Sequence, residues 1–336
     1  MLKVIHLIPR NGIGGVERAA ESMSYELVSD FIFSVETIFP PSSEKNKWLL
    51  WNPLFFICAA KLLWQIQPNV LIVSLWRACA VGILLKLLRP HVKLVLFLHF
   101  PRNVHLLDRF LTWFAARLSY KVMADSGATL SMRLPALPRD KGRVISFVTE
   151  RIPALPPCHV HPVFVFWGRI HSQKGLDRAL RIFSAVHAKH QSASFLIIGP
   201  DDGDLVRLQG LVDLMNLGEF VHFLGGMDFC NIRHVASRAS FYLQTSLQEG
   251  MGMSVVEAMQ MGLLPVVTPV GEIANFTCHG ENALVVIEDS AAVTDVLSIL
   301  EENPTYQMMR EKAAATWSKK PLYNVSMLDA CREFLL

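Results

Sequence analysis

One feature narrows the possible folds more than any other. Short, almost wholly apolar runs recur at 4–8, 31–38, 70–74, 94–98 and 121–124, and again at 163–167, 195–198, 221–223, 241–244 and 264–267. Each is separated from the next by a stretch that reads as helix. A strand that is apolar on both faces must be covered on both faces, which is the condition of a parallel sheet wrapped by helices. Two such series predict two doubly wound α/β domains. The Pro-rich segment Pro153-Ala-Leu-Pro-Pro-Cys-His-Val-His-Pro162 reads as the linker between them. The expected domains are 1–157 and 158–320, with 321–336 a helix able to pack back on the first. A length of 336 residues suits two domains, and 51% hydrophobic residues exclude a disordered chain.

No stretch reads as a membrane span. The best candidate, 78–100, is interrupted by Lys86, Arg89, Pro90, His91 and Lys93, and about 20 predominantly apolar residues are needed to cross a bilayer. The first residues read as a buried strand rather than a signal peptide. The six cysteines form no C-x-x-C pair and are expected as free thiols in a reducing cytoplasm. Charge is uneven. Residues 1–150 carry 18 Lys/Arg against 10 Asp/Glu, and the remainder 14 against 19. The first half therefore suits an anionic partner, with membrane lipid, a phosphorylated acceptor and nucleic acid all candidates.

In open α/β sheets, ligands bind beyond the carboxyl ends of the strands, so chemistry is expected in the loops after these runs. After 241–244 comes Gln248-Glu-Gly-Met-Gly-Met-Ser-Val-Val-Glu-Ala-Met, which opens a helix near Ser254. Gly250 and Gly252 let backbone approach a ligand, and free amides at the helix start offer an anion site suited to a diphosphate. Glu249 and Glu257 flank this turn and could bracket the hydroxyls of a nucleotide sugar. Two solvated glutamates at a helix start explain the same residues equally well. After 163–167 comes Gly168-Arg-Ile-His-Ser-Gln-Lys-Gly175, where Arg169 and Lys174 could neutralise a diphosphate leaving group. After the first run comes Asn11-Gly-Ile-Gly-Gly-Val-Glu-Arg18, a glycine-rich turn with Glu17 where a dinucleotide fingerprint needs a third glycine.

Taken in order, these motifs resemble the family-4 retaining glycosyltransferases of GT-B fold, with two Rossmann-like domains facing each other across a cleft. Glu249 and Glu257 match the family's Glu-x7-Glu, Gly168-Arg169 and Lys174-Gly175 its Gly-Arg and Lys-Gly, and Gly14-Gly15-Val16-Glu17 its Gly-Gly-x-Glu. The resemblance implies that 158–320 binds a nucleoside-diphosphate sugar and 1–157 the acceptor. Arg169 and Lys174 would hold the donor phosphates, Glu249 the hexose and Glu257 the ribose. Backbone of Gly250, Met251, Gly252, Met253 and Ser254 would hold the diphosphate, with Gly14, Gly15 and Gly168 close to the ligand. His99, after the run 94–98, matches a histidine near the reacting sugar, and Ser126 a strand-end position. The chain departs from the family in lacking Asn-Gly-Val-Asp before the linker and in shortening the stretch around Val270-Gly-Glu272.

Asp202-Gly-Asp204 looks like a metal-binding pair but is expected as a solvated turn, and Cys158-His-Val-His161 as linker. No metal site and no cofactor beyond the donor are expected. Tryptophan-, phenylalanine- and leucine-rich stretches with basic flanks, such as Leu106-Leu-Asp-Arg-Phe-Leu-Thr-Trp-Phe-Ala-Ala-Arg117, suit an anionic membrane surface; ordinary amphipathic helices explain them too. The expected activity is metal-independent hexosyl transfer from a GDP- or UDP-sugar to a glycan or lipid-linked hydroxyl. Bacterial polysaccharide or lipopolysaccharide assembly, on the cytoplasmic face of the inner membrane, is the expected setting. A nucleotide-sugar epimerase and a non-enzymatic nucleotide-sugar-binding protein are the alternatives. No nucleic-acid-binding motif is present.

Overall fold

The computed structural model describes residues 2–10, 15–23, 25–27, 30–40, 50–156 and 159–335. The chain divides into two compact units, Met1–Glu150 with Pro321–Leu336, and Arg151–Lys320. The first runs β1 (Leu2–Ile8), α1 (Gly15–Glu21), β2 (Tyr25–Leu27), β3 (Phe31–Thr37), α2 (Pro53–Ile66), β4 (Val70–Ser74), α3 (Leu75–Leu88), β5 (Lys93–Leu98), α4 (Leu106–Leu118), β6 (Lys121–Ala124), α5 (Gly127–Arg133), β7 (Gly142–Val144). The second runs β8 (Val163–Trp167), α6 (Leu176–His187), β9 (Ser194–Ile198), α7 (Leu205–Leu214), β10 (Val221–Phe223), α8 (Phe229–Ala236), β11 (Phe241–Gln244), α9 (Met253–Met261), β12 (Leu264–Val267), α10 (Ile273–Phe276), β13 (Leu284–Val285), α11 (Asp289–Glu301), α12 (Asn303–Ser318). A last helix, α13 (Tyr323–Leu335), belongs to the first unit, where Tyr323 N–H donates to Val148 O and Lys93 Nζ to Phe334 O.

All ten apolar runs lie in strands. The first sheet has the order β2-β3-β1-β4-β5-β6-β7 and is parallel except for β2; the second, β10-β9-β8-β11-β12-β13, is wholly parallel. β2, β7 and β13, strands of two or three residues at the sheet edges, escape the sequence pattern. β4, β11 and β12 are buried at every residue. In the second unit Phe164 stacks on Phe241 at 5.0 Å and meets Phe183 edge-on at 5.7 Å, so bulky strand residues fill the sheet–helix layer.

Strand order fixes where ligands can bind. In each sheet the chain reverses its direction of winding once, between β1 and β4 and between β8 and β11. At such a switch point the two following loops part to opposite faces and leave a crevice at the carboxyl ends of the strands. The Pro-rich stretch is fastened rather than hanging free. Leu155 N–H donates to Met261 O, and the buried Arg310 donates to Gly262 O, Leu155 O and Pro156 O.

Candidate active site

At the β8–β11 switch point the structure builds a network of buried polar side chains. α9 is buried on almost every face, so its acid Glu257 must find a partner. Trp167 Nε1, at the end of β8, donates to Glu257 Oε2 at 2.8 Å. Gln244 ends β11 fully buried. Its Oε1 accepts from Ser254 Oγ at 2.9 Å and lies 2.6 Å from the Tyr242 hydroxyl, while its Nε2 donates to Glu249 Oε1 at 2.9 Å. Burial first of all, then the charges of Glu249 and Glu257, push the Tyr242 phenol well above its ordinary pKa, so it remains a donor. Glu249 Oε1 collects two further donors, Ser246 Oγ at 2.7 Å and Lys174 Nζ at 2.7 Å.

Lys174 reaches Glu249 because two loops lie backbone against backbone. Gly175 is left-handed (φ 62), and a Cβ there would stand 2.1 Å from Thr245 O. Thr245 Oγ1 donates to Gly175 O at 2.6 Å, and Leu247 N–H to Gln173 O. From the other side, Gly271 (φ 58) would place a Cβ 2.0 Å from Glu249 O, and Glu272 N–H donates to Gly250 O. Gly252 (φ 72) caps α9 with no side-chain cap, leaving the first helical amides to other acceptors.

The structure thus joins Lys174 to Glu249, 14% and 9% exposed, and joins Glu257 to Trp167. Arg169 has a different partner: it pairs with Asp202 at 2.6 Å, both about half exposed. The expectation of a solvated Asp-x-Asp turn holds for Asp202 but not for Asp204, which is buried and clasped by Arg207. Asp201 instead caps the amides of Gly203 and Leu205. Gly168 (φ 149) and Gly199 (φ 155) let the loops after β8 and β9 touch, since a Cβ on Gly199 would fall 1.7 Å from Gly168 O. Gly250 is buried; Met251, Met253 and Ser254 are partly exposed. Trp167, Gln244 and Ser246 were not legible as site residues. The only signal was a glutamine ending an apolar strand.

At the β1–β4 switch point of the first unit, three side chains line up. His6 Nε2 and His99 Nε2 each lie 2.8 Å from Ser74 Oγ. Burial lowers the His6 pKa to about 3, and burial together with His6 lowers that of His99 well below its ordinary value, so both rings are neutral near pH 7. Phe97 packs on His99 at 4.1 Å and Phe147 at 5.6 Å. Sequence reading found His99 but not His6 or Ser74. Ser126 is buried and its hydroxyl accepts from Thr129 N–H as the N-cap of α5. Gly15 opens α1, exposed; Gly14 lies outside the described residues, as does Cys158. Among the described residues no group of three or more His, Cys, Asp or Glu could hold a metal ion.

Residues 154–316 match the family model for glycosyl transferases group 1. The Saccharomyces cerevisiae phosphatidylinositol N-acetylglucosaminyltransferase GPI3 subunit is 30% identical over 156 residues, 46% of this chain and 33% of that subunit. The match therefore spans about a third of that curated relative. Among solved structures, Anabaena Alr3699/HepE in complex with UDP superposes with a TM-score of 0.79 at 16% identity, each chain covered in full. Sucrose-phosphate synthase from Thermosynechococcus elongatus gives 0.76 at 16% identity, covering 99% of this chain and 98% of that one. The second unit thus matches glycosyl transferases group 1, and the chain as a whole has the GT-B fold of glycosyltransferase structures.

Proposed function

We propose that this protein is a retaining, metal-independent glycosyltransferase that moves a hexose from a nucleoside-diphosphate sugar to a glycan or lipid-linked hydroxyl. The observation that carries the reading is the Lys174–Glu249 pair, held beside the uncapped start of α9 at a topological switch point. In this reading the donor diphosphate lies on the amides of Gly252, Met253 and Ser254, whose helix dipole favours an anion. Arg169 exchanges Asp202, an exposed and therefore weak partner, for a phosphate. Glu249 orients the hexose and Glu257 the ribose. The bond from the anomeric carbon to the diphosphate breaks as the acceptor oxygen bonds the same face, and the acceptor's proton leaves with the departing diphosphate. The UDP named for the Anabaena structure and the phosphatidylinositol named for the yeast subunit support a uridine nucleotide and a lipid-linked acceptor, with bacterial surface-glycan assembly as the setting.

The experiment is a thermal-shift screen of UDP, GDP and their sugars, followed by NMR of the sugar products. A donor present at 100 times its Kd should stabilise the fold by about 2.7 kcal/mol. Stabilisation without transfer to any acceptor would point to a binding protein, and epimer formation without acceptor to an epimerase; either outcome refutes the reading.

The same proposal seats the first unit on an anionic membrane surface. α4 packs Leu111, Phe114 and Leu118 against the core and yet carries further large apolar side chains on its exposed face. It buries Asp108, Thr112, Ala115 and Ala116, while Leu106, Phe110 and Trp113 are 82%, 59% and 50% exposed. At 3.6 residues per turn those three and Arg117 share an arc of about 60°. The helix's one acid, Asp108, is turned inward onto Arg133. α2 and α3 contain no acid and expose Leu54, Ile57, Trp64, Leu87 and Leu88, with Arg89 over the Trp64 ring at 4.0 Å. Apolar side chains among cations suit the interface of an anionic bilayer, and no helix among the described residues is long and apolar enough to cross one. The double variant Phe110→Ser/Trp113→Ser should weaken sedimentation with phosphatidylglycerol-containing vesicles by at least about 100-fold, at roughly 1.5–3 kcal/mol per inserted side chain. Equal sedimentation of variant and parent would remove α4 from the contact.

A further inference from the structure

We propose that His6 and Ser74 hold His99 as its Nδ1–H tautomer, so that His99 serves transfer as a hydrogen-bond donor and not as a base. The inference rests on the reading that His99 faces the reacting sugar. It begins with proton counting. A serine hydroxyl has one proton to give, and Ser74 Oγ stands at hydrogen-bond distance from two Nε2 atoms. Ser74 Oγ could accept from two N–H groups, but its own buried proton would then have no acceptor among the described residues; with both rings neutral, one Nε2 therefore carries a proton and the other does not, and the two histidines hold opposite tautomers.

Burial decides which. His6 is 1% exposed, and its Nδ1 has no hydrogen-bond partner among the described residues. A sealed N–H without an acceptor is costlier than a sealed lone pair, as the rarity of orphaned buried N–H groups shows. Both Nδ1 atoms are sealed in this way, so the Nδ1 proton falls to the ring nearer the surface: His6, the fully buried residue, keeps its proton on Nε2 and donates it to Ser74. Ser74 donates in turn to His99 Nε2, which leaves the His99 proton on Nδ1. That atom is also buried without a partner among the described residues. His99, partly exposed where His6 is sealed, is left with an N–H that needs an acceptor oxygen.

Two further observations favour a dedicated relay. Ser74 occupies the N-cap of α3, where a serine hydroxyl usually accepts from a helical amide, yet it makes no such bond. The next residue, Leu75, is left-handed (φ 66), a conformation that a branched side chain enters only when its surroundings compel it. The strand-to-helix turn that aims Ser74 between the two rings is held at that strain. His6 and Ser74 touch no substrate in this scheme; they are positioning residues.

The test is long-range proton–nitrogen correlation NMR of the histidine rings, paired with kinetics. The parent protein should show His99 protonated on Nδ1 and His6 on Nε2. In Ser74→Ala the His99 signal should move to the Nε2–H form or to a mixture, kcat should fall about tenfold with the donor KM little changed, and Ser74→Thr should restore both. His99 on Nε2 in the parent, or an Nδ1–H signal untouched by Ser74→Ala, overturns the relay. Normal turnover in His99→Ala would instead overturn the use of His99 by the enzyme, while the tautomer result would still stand or fall on its spectra.

Discussion

Replacing Lys174 by methionine is expected to lower kcat for glycosyl transfer about 100- to 1,000-fold, the usual effect of removing one preorganised group that stabilises charge developing in a transition state. A second loss should accompany it. Lys174 and Glu249 form a largely buried pair, and removing the cation leaves a carboxylate in a poorly solvated site with Ser246 and Gln244 as its remaining partners among the described residues. Breaking a buried pair from one side is destabilising by about 3–5 kcal/mol, toward the lower end here because two donors remain. Low activity in the single variant is therefore ambiguous between a damaged site and a damaged fold. The double variant Lys174→Met/Glu249→Gln separates them. It removes both charges and keeps an oxygen to accept from Ser246 and Gln244, so the denaturant midpoint should return most of the way to that of the parent. Turnover should not return, because neither the cation beside the diphosphate nor the anion beside the hexose has been replaced. Activity recovering in step with stability would show that the pair is a structural tie and would refute the proposed site. The measurements are urea unfolding and initial rates on the same three proteins.

The parts of this site differed in how legible they were. Glu249, Glu257, Arg169 and Lys174 stood out because they lie beside glycines in the loops after apolar runs, where open α/β sheets bind ligands, although solvated surface residues would look the same. Their pairing did not stand out. Lys174 meets Glu249 across 75 positions of chain only because β8 and β11 are neighbours in the sheet, and strand order is not written in any one segment. The same reason hides His6, which meets Ser74 only because β4 lies beside β1. Gln244 and Trp167 were masked by their surroundings, since a polar atom ending an apolar run looks like the edge of the run. In α4 the periodicity revealed an apolar face but not its direction. The helix buries the small residues Ala115 and Ala116, which a hydrophobicity pattern undervalues beside Phe110 and Trp113. The ten principal strands, by contrast, were legible because burial on both faces leaves its mark in each strand separately.

Gly175 should prove a sensitive glycine of the second unit's site, and Gly175→Ala is expected to destabilise the fold by about 2–5 kcal/mol. Two effects add. An alanine at φ 62 is strained by roughly 1–2 kcal/mol wherever it occurs. At Gly175 the new Cβ also meets Thr245 O at 2.1 Å and Thr245 C at 2.9 Å, both backbone atoms that cannot turn aside as a side chain would. Forcing extra volume into a packed contact adds about 1–3 kcal/mol. Gly280 supplies the comparison. It has φ 74, and a Cβ there would meet nothing within 4 Å, so Gly280→Ala should show the backbone strain alone. The difference between the two variants then measures the close approach of the loops. Because that approach is what carries Lys174 to Glu249, the surviving folded fraction of Gly175→Ala should also transfer sugar more slowly per folded molecule, whereas Gly280→Ala should match the parent. Equal destabilisation by the two substitutions, read from urea unfolding, would mean that the loops can part without penalty and that the site does not depend on their contact.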